Sequence, residues 1–366
     1  MVKMFKISFL VLIFLCFLSI TQQRRVDIDE EQFSKYWKFK GEIEGFPKKE
    51  GEKPPIIKFY LWYPENIKII KGLIITGGIV IEGDLSRDEK LRTFLIDSGF
   101  GILKIKPMFL LKSKQEKEKF EEILKKAGEI SSHPEIVNLP FLTIGHSTGG
   151  IYARNIGYFY PERTLGIVHI KSGNLQDLIP DPSFSLKGIP FVAINGEFEE
   201  FGPLGGGKGG IREKYGKQTQ WIMIRKQLLF LRNKDENHLF SLLVDPGGSH
   251  TSWNDLMKDY VIKFISKCIE YRYPENFEPL KGSPKCKKID FKKGYLTDAN
   301  IKSPEFLPAP YSEYKGDKNK TFWHFDKEIA ELTYEIHKKL TPIDPSQEGE
   351  NWWELNDEIL IPKYSW

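Results

Sequence analysis

The sequence predicts an α/β protein with a mostly parallel, doubly wound sheet of about eight strands, covered by helices on both faces. Between residues 36 and 270, short runs rich in β-branched and aromatic residues alternate with longer segments of helical periodicity. The earliest runs alternate apolar and polar residues, whereas the later ones are continuously apolar. That change is typical of an outer hairpin that leads into a buried parallel sheet.

The strands and helices alternate along this region. The predicted strands are 36–43, 56–63, 72–76, 101–105, 141–144, 165–170, 191–195 and 239–244. The capping-box pattern, a serine followed three residues later by a glutamate, predicts helix starts at Ser86 and Ser113. These two helices are expected to end near residues 98 and 128, and three more are predicted at 151–158, 218–232 and 254–270.

The first 21 residues have the pattern of an export signal. Lys3 and Lys6 precede an apolar run over residues 7–20, which is shorter than the roughly 20 residues that a spanning helix needs. We therefore expect a cleaved signal peptide over residues 1–21 and a periplasmic or extracellular protein. An uncleaved anchor, or a lipoprotein acylated at Cys16, is the alternative, and membrane contact is expected only in those cases.

The remaining chain divides into a main domain, residues 22–270, and a proline-punctuated extension, residues 271–366, that we expect to wrap the main domain. One amphipathic helix is predicted in the extension from its apolar stripe of Phe325, Ile329, Leu332, Ile336 and Leu340. The extension also carries Trp323, Trp352, Trp353 and Trp366. Packing against the main domain is one interpretation of these aromatic residues, and a sugar-stacking surface is the other.

Charge and cysteine content exclude several classes of protein. The 54 basic and 50 acidic residues leave a net charge of +4, so we expect no nucleic-acid partner. Without the signal segment only Cys268 and Cys286 remain, which are too few for a disulfide framework and wrongly spaced for a zinc site. A single disulfide between them stays open.

A short motif carries the chemistry. Gly145-His146-Ser147-Thr148-Gly149-Gly150 contains G-x-S-x-G, directly after the strand 141–144 and before a helix. A serine on such a sharp turn is exposed at the carboxyl edge of the sheet, and small neighbours let the strand and helix backbones approach. The helix amino terminus and the Thr148 amide can stabilise a developing oxyanion.

With this motif the chain resembles the α/β-hydrolase superfamily, and Gly-His-Ser-x-Gly-Gly is especially similar to its lipase and esterase members. The resemblance covers about residues 36–270. It implies the α/β-hydrolase fold, Ser147 as nucleophile, no metal or cofactor, and a chain order of nucleophile, acid and histidine.

The histidine implied by this order is His250, in a turn after the last predicted strand and before the final helix of the main domain. The other histidines are expected to be structural or exposed. They are His133, His146, His169, His238, His324 and His337.

The acid is expected after the strand 191–195, where Gly196-Glu197-Phe198-Glu199-Glu200 follows. A frequent G-x-x-D pattern in the superfamily puts Glu199 in register, and a carboxylate there would fix the tautomer of the imidazole. Glu200 and Glu197 compete with it. Asp177 is a more distant rival, because some members of the superfamily carry the acid after the preceding strand.

The second oxyanion donor is expected in the loop that follows the third strand. Gly78 is our choice, with Gly77 and Ile79 equally within reach, and an ordinary turn is the alternative. The glycine-rich segment 205–210 contains G-x-G-x-x-G but does not lie tightly between a strand and a helix. We interpret it as a flexible loop beside the acid turn, with a lid over the site as a second interpretation, and not as a phosphate-binding loop.

These residues predict a serine hydrolase that cleaves carboxylic esters, either of small molecules or linked to polysaccharide. A peptidase or a thioesterase on the same fold is the enzymatic alternative. A catalytically silent polysaccharide-binding protein is the alternative from another class, although such a protein has no need of an ordered serine, acid and histidine.

Overall fold

The computed structural model describes residues 28–47, 51–173, 175, 178–199 and 219–341. The chain divides into two compact units, Met1–Lys38 and Phe39–Trp366. In the first unit, α1 (Ile28–Glu31) and α2 (Phe33–Tyr36) precede Trp37, whose indole Nε1 donates to the Asp29 carboxylate at 3.0 Å. The predicted signal peptide lies outside the described residues.

The second unit is built on an eight-stranded sheet in the order β1-β2-β4-β3-β5-β6-β7-β8. Its strands are β1 (Phe39–Glu44), β2 (Ile56–Trp62), β3 (Gly72–Thr76), β4 (Phe100–Lys106), β5 (Phe141–His146), β6 (Thr164–Ile170), β7 (Phe191–Gly196) and β8 (Phe240–Asp245). β2 runs antiparallel to both β1 and β4, and every other pair is parallel. The predicted mostly parallel sheet is confirmed.

The strand register brings four loops to one edge of the sheet. Thr76 at the end of β3 pairs with Ile144 of β5, and His146 at the end of β5 pairs with Ile170. Gly196 pairs with Asp245 where β7 and β8 end. Because parallel strands share their carboxyl edge, the loops after β3, β5, β7 and β8 meet there.

Seven helices within the described part of this unit cover the sheet. They are α3 (Val80–Arg87), α4 (Glu89–Ser98), α5 (Lys114–Ser131), α6 (Gly149–Phe159), α7 (Thr219–Lys234), α8 (Asp255–Arg272) and α9 (Lys327–His337). One apolar cluster packs α5 and α6 against the sheet, and another packs α7 and the extension against β6 to β8.

The two predicted helix starts differ in outcome. Ser113 caps α5, since its side-chain oxygen accepts from the Glu116 amide. The start at Ser86 is wrong: Ser86 lies inside α3, buried, and its hydroxyl donates to the Gly83 carbonyl. The helix that ends at Ser98 is capped by Asp88, whose carboxylate accepts from the Leu91 amide. Aspartate caps helices as well as serine does, and Asp88 lies only two residues after Ser86. The sequence therefore offered two capping residues for this helix, and the fold uses the second.

The extension forms a second sheet in the order β10-β9-β11, with α9 behind it. Its strands are β9 (Tyr295–Asp298), β10 (Ala309–Pro310) and β11 (Thr321–His324). The imidazole Nε2 of His337 accepts from the Val244 amide of β8 at 3.1 Å. Trp323 is buried and donates to the Phe291 carbonyl, so it packs inside the extension. Trp352, Trp353 and Trp366 lie outside the described residues.

Cys268 and Cys286 are both free, so the disulfide left open above is not formed. Cys268 is fully buried in α8 against Gly166, where an added Cβ would overlap its sulfur. The thiol therefore acts as a small apolar group in the core. In the described part of the chain, no helix is long and apolar enough to cross a membrane.

Candidate active site

The nucleophile elbow lies between β5 and α6. Ser147 has a φ of 54°, in the left-handed region that serine rarely adopts. Its amide donates to the Ile170 carbonyl at 2.9 Å, which holds the turn against β6. An added Cβ at Gly145 would overlap the Gly149 carbonyl, so the strand and the helix can approach this closely only with glycine at that position.

His250 lies in the loop after β8 and faces the serine. Its Nε2 is 3.1 Å from the Ser147 hydroxyl oxygen, and its Nδ1 is 3.0 Å from Glu199 Oε2. A carboxylate only accepts, so Nδ1 carries the hydrogen and Nε2 is left to accept from the serine hydroxyl. That tautomer can take a proton from Ser147.

Glu199 is held rigidly at the end of β7. Its other oxygen, Oε1, accepts from the Asn195 side-chain amide at 3.0 Å and from the Gly196 backbone amide at 2.8 Å. The side chain is fully buried. Three hydrogen bonds therefore fix the carboxylate in the orientation that meets His250.

The rivals for the acid position differ. Glu197 uses both of its oxygens elsewhere: Oε1 accepts from Lys302 and from the Thr341 amide, and Oε2 accepts from the Gly247 amide. It supports the turn and does not contact His250. Glu200 and Asp177 lie outside the described residues.

The other six histidines are expected from the sequence to be either structural or exposed. All six are buried, which agrees with a structural role. They are His133, His146, His169, His238, His324 and His337. Burial lowers the pKa of His169, His324 and His337 to about 3. They are therefore neutral across the physiological range.

The predicted oxyanion donors lie at the same edge. Thr148 is the N-cap residue directly before α6, and Gly78 lies in the loop between β3 and α3. Within the described residues, neither backbone amide donates to another group. The Ile79 amide donates to Glu82 Oε2 at 3.0 Å, so it is already engaged. Of the three candidates in this loop, Gly77 and Gly78 are left.

Sequence reasoning missed the lysine that holds the histidine loop. Lys171, fully buried just after β6, donates from Nζ to Asp245 Oδ2 at 3.0 Å and to the carbonyls of Ser249 and Ser252 at 2.5 Å and 2.6 Å. These acceptors flank His250 on both sides. The only signal in the sequence is a lysine that ends an apolar strand, and that pattern does not show what the lysine binds.

His146 also positions the histidine loop, although its place in the motif looked variable. Its Nε2 donates to the His250 carbonyl at 3.0 Å, and the two rings lie 5.0 Å apart. Burial lowers the pKa of His146 to about 4, so it is neutral near pH 7 and puts no second charge beside His250.

The described residues contain no group of three or more His, Cys, Asp or Glu side chains arranged to hold a metal ion. What the geometry offers is a hydroxyl, a base that can deprotonate it, and a carboxylate that orients the base. The Thr148 amide directly follows the serine in the chain, and the loop of Gly78 lies at the same edge of the sheet, as a pair of oxyanion donors requires.

No protein-family model and no curated protein matches the chain. Solved structures similar to it include Est1E from Butyrivibrio proteoclasticus, with a TM-score of 0.37 and 15% identity over 63% of this chain and 99% of that one. A carboxyl esterase from Bacillus coagulans has a TM-score of 0.38 and 13% identity over 63% and 99%. Poly(aspartic acid) hydrolase-1 from Sphingomonas sp. KT-1 has a TM-score of 0.38 and 14% identity, over 62% of this chain and 98% of its own.

The fold assignment rests on this chain's own geometry. The sheet is mostly parallel, with the antiparallel strand β2 next to one end, and a strained serine turn joins β5 to α6. The loops after β7 and β8 bring Glu199 and His250 to that serine in the expected chain order. The chain has the α/β-hydrolase fold.

Proposed function

We propose that the protein is a serine hydrolase that cleaves carboxylic esters through an acyl-enzyme on Ser147. The observation that carries the proposal is the continuous chain of hydrogen bonds from the Ser147 hydroxyl through His250 to Glu199, at 3.1 Å and 3.0 Å. A protein that only binds a ligand does not need these linked hydrogen bonds. Nor does it need the strained backbone at Ser147, which destabilises the fold and has a use only in catalysis.

In the first half of the reaction, Ser147 Oγ attacks the ester carbonyl while His250 Nε2 takes its proton. Glu199 stabilises the imidazolium that forms, without itself taking the proton. The amides of Thr148 and Gly78 donate to the oxyanion of the tetrahedral intermediate. His250 then gives the proton to the alcohol oxygen as its bond to the carbonyl carbon breaks.

In the second half, water enters where the alcohol left. His250 removes a proton from this water as its oxygen attacks the acyl carbon. The second tetrahedral intermediate collapses, Ser147 regains its proton from His250, and the carboxylic acid departs. The residues thus return to their starting protonation states, and the reaction needs no metal or cofactor.

Ester is the proposed substrate class because the elbow sequence resembles those of lipases and esterases. We propose a small-molecule or polysaccharide-linked ester as the substrate.

The experiment compares two serine variants that share a backbone conformation. Ser147→Ala should lower the kcat for a p-nitrophenyl ester by several orders of magnitude, as loss of a nucleophile does in other enzymes of this kind. Ser132→Ala is the matched control, because Ser132 also has a positive φ, of 58°, at the end of α5 away from the site. If both variants keep the rate of the unchanged protein, the proposal is wrong.

A further inference from the structure

Glu82, in the first turn of α3, is a buried carboxylate beside the proposed site that the mechanism above does not use. It is 0% exposed, although glutamates at helix starts usually point to water. Its helix follows the loop that carries Gly78, and its carboxylate reaches β5 across the carboxyl edge of the sheet.

The two oxygens of Glu82 bind two different elements. Oε2 accepts from the Ile79 amide at 3.0 Å, in the loop after β3. Oε1 accepts from the His146 amide at 2.6 Å, one residue before Ser147. One carboxylate therefore links the loop that would supply the second oxyanion donor to the elbow that carries the nucleophile and the first donor.

Glycines make room for this carboxylate on both sides. An added Cβ at Gly77 would lie 2.5 Å from Oε2, and an added Cβ at Gly149 would overlap Oε1. The carboxylate thus occupies the gap between the loop and the start of α6. Any movement of the loop away from the elbow would have to break one of its two hydrogen bonds.

Helix capping alone does not account for Glu82. A glutamate at the third helical position can satisfy the amide at the helix start while staying in water, and that role uses one oxygen. Here the group is fully buried, where a carboxylate is costly to keep charged, and burial raises its pKa to about 7. The second hydrogen bond, to the elbow, is what the capping role leaves unexplained.

We propose that Glu82 is a positioning residue that fixes the distance between the two halves of the oxyanion hole by bridging the Ile79 and His146 amides. The proposal rests on the proposed function. Transition-state stabilisation by fixed amides is sensitive to displacements of about 1 Å, so loss of the bridge should lower kcat more than it changes KM.

The first test is Glu82→Gln, which keeps the size of the side chain but offers only one carbonyl oxygen. Its amide group would meet one of the two backbone N–H groups, so one bond of the bridge is lost. We expect kcat for a p-nitrophenyl ester to fall by about 10- to 100-fold with KM within about twofold.

Glu135→Gln is the matched control. Glu135 is also a buried glutamate and accepts from the Ile70 amide at 2.9 Å and from His133 at 2.7 Å. It precedes β5, at the opposite edge of the sheet from Ser147. This variant should keep the kcat of the unchanged protein, even if its melting temperature falls. Equal kcat in both variants would overturn the proposal.

Two further measurements guard against a Glu82→Gln protein that does not fold. Glu82→Asp keeps the charge but withdraws the carboxylate by one methylene group, so it cannot span both amides and should also lose kcat. In the unchanged protein, kcat/KM should fall as the pH falls through about 7, because Glu82 must be charged to accept from both amides. Full kcat in a folded Glu82→Asp, or a kcat/KM that is the same at about pH 8 and pH 6, contradicts the proposal.

The groups around Glu82 leave that titration to Glu82 itself. Lys104 of β4 favours its charged form, and the Tyr152 hydroxyl of α6 has its pKa raised well above the usual value by burial, so it stays neutral. The His146 ring of β5 is neutral as well. The two proposals fail differently. A protein without ester-hydrolysing activity, or full activity in Ser147→Ala, contradicts the proposed function. An active protein whose Glu82→Gln variant has a normal kcat contradicts only the role of Glu82 as a bridge.

Discussion

Ser147 shows most clearly how residue types at fixed positions set the geometry of the site. Its positive φ costs on the order of 1–3 kcal/mol. Glycine at position 145 avoids a clash with the Gly149 backbone, and glycine at position 149 avoids a clash with the Glu82 carboxylate. Both glycines belong to the motif, so the turn could be predicted from sequence. His250 and Glu199 could be expected from the resemblance to the α/β-hydrolases, which puts the histidine and the acid in the loops after two of the apolar strands.

Glu82 and Lys171 could not be predicted in the same way. Each acts on a segment 64 to 81 residues further along the chain, through a backbone amide or carbonyl. Backbone groups leave no mark in the sequence, and the charged side chains look like ordinary surface residues until the fold buries them.

At the residue scale, Glu199→Gln tests the acid. The amide can still fill the site, but it can donate to His250 and so favours the wrong imidazole tautomer. We expect kcat to fall by roughly 10³- to 10⁴-fold with a small change in melting temperature. Steady-state ester hydrolysis and thermal unfolding measure the two effects.

Glu200→Gln and Asp177→Asn are the comparison variants for that experiment. Each variant removes the carboxylate of an alternative candidate for the acid, and each should leave kcat nearly unchanged. A large loss in either one, with a mild Glu199→Gln, would show that the acid is misassigned while Ser147 and His250 stand.

At the scale of elements, the extension is joined to the acid turn by a buried ion pair. Lys302 Nζ lies 3.0 Å from Glu197 Oε1, with side chains 3% and 0% exposed. Glu197 also accepts from the Gly247 amide of the histidine loop at 3.0 Å. The proline pattern could predict an extension, but a contact across 105 residues depends on folded geometry. The mistaken helix start at Ser86 has a different cause, which is local: Ser86 and Asp88 are both capping residues, and the chain uses Asp88.

Lys302→Met tests this junction. Removing one partner leaves a buried carboxylate without its cation, so we expect the free energy of unfolding to fall by about 3–5 kcal/mol. Urea unfolding measures it. Lys263→Met is the control, because the Lys263–Glu328 pair is 39% and 54% exposed, and its loss should cost less than about 1 kcal/mol. Similar losses in both variants would mean that the buried pair does not stabilise the junction.

At the scale of the whole molecule, buried histidines set the response to acid. Burial lowers the pKa from 6.5 to about 4 in His146 and to about 3 in His169, His324 and His337. Below about pH 6.5 the unfolded chain binds protons that the folded chain excludes, so stability falls as pH falls. Glu82 has the opposite sign, because its pKa is raised and protonation favours the folded state.

The expected size of the acid effect is large. Each of these four histidines costs on the order of 2 kcal/mol at pH 5, and Glu82 returns a similar amount as a single group. Burial also lowers the pKa of His238, so the net effect is a loss of stability that is large against the roughly 5–15 kcal/mol of a typical domain. We expect urea unfolding to show this loss between pH 7 and pH 5.

His337→Gln separates this effect from general acid denaturation. A glutamine oxygen can accept from the Val244 amide in place of the imidazole but does not titrate. The variant should recover about 2 kcal/mol of the loss at pH 5. A free energy of unfolding that is the same at pH 7 and pH 5 would contradict the account of the buried histidines.

The sheet as a whole is the most predictable level, because its strands coincide with continuous apolar runs that helical segments separate. The central claim concerns one atom in it, the Ser147 hydroxyl oxygen. The most direct measurement is to react the protein with a fluorophosphonate and to locate the adduct by peptide mass spectrometry. The account predicts one phosphonyl group per chain, on Ser147. An adduct on another serine, or an ester-hydrolysing protein that forms none, would contradict it.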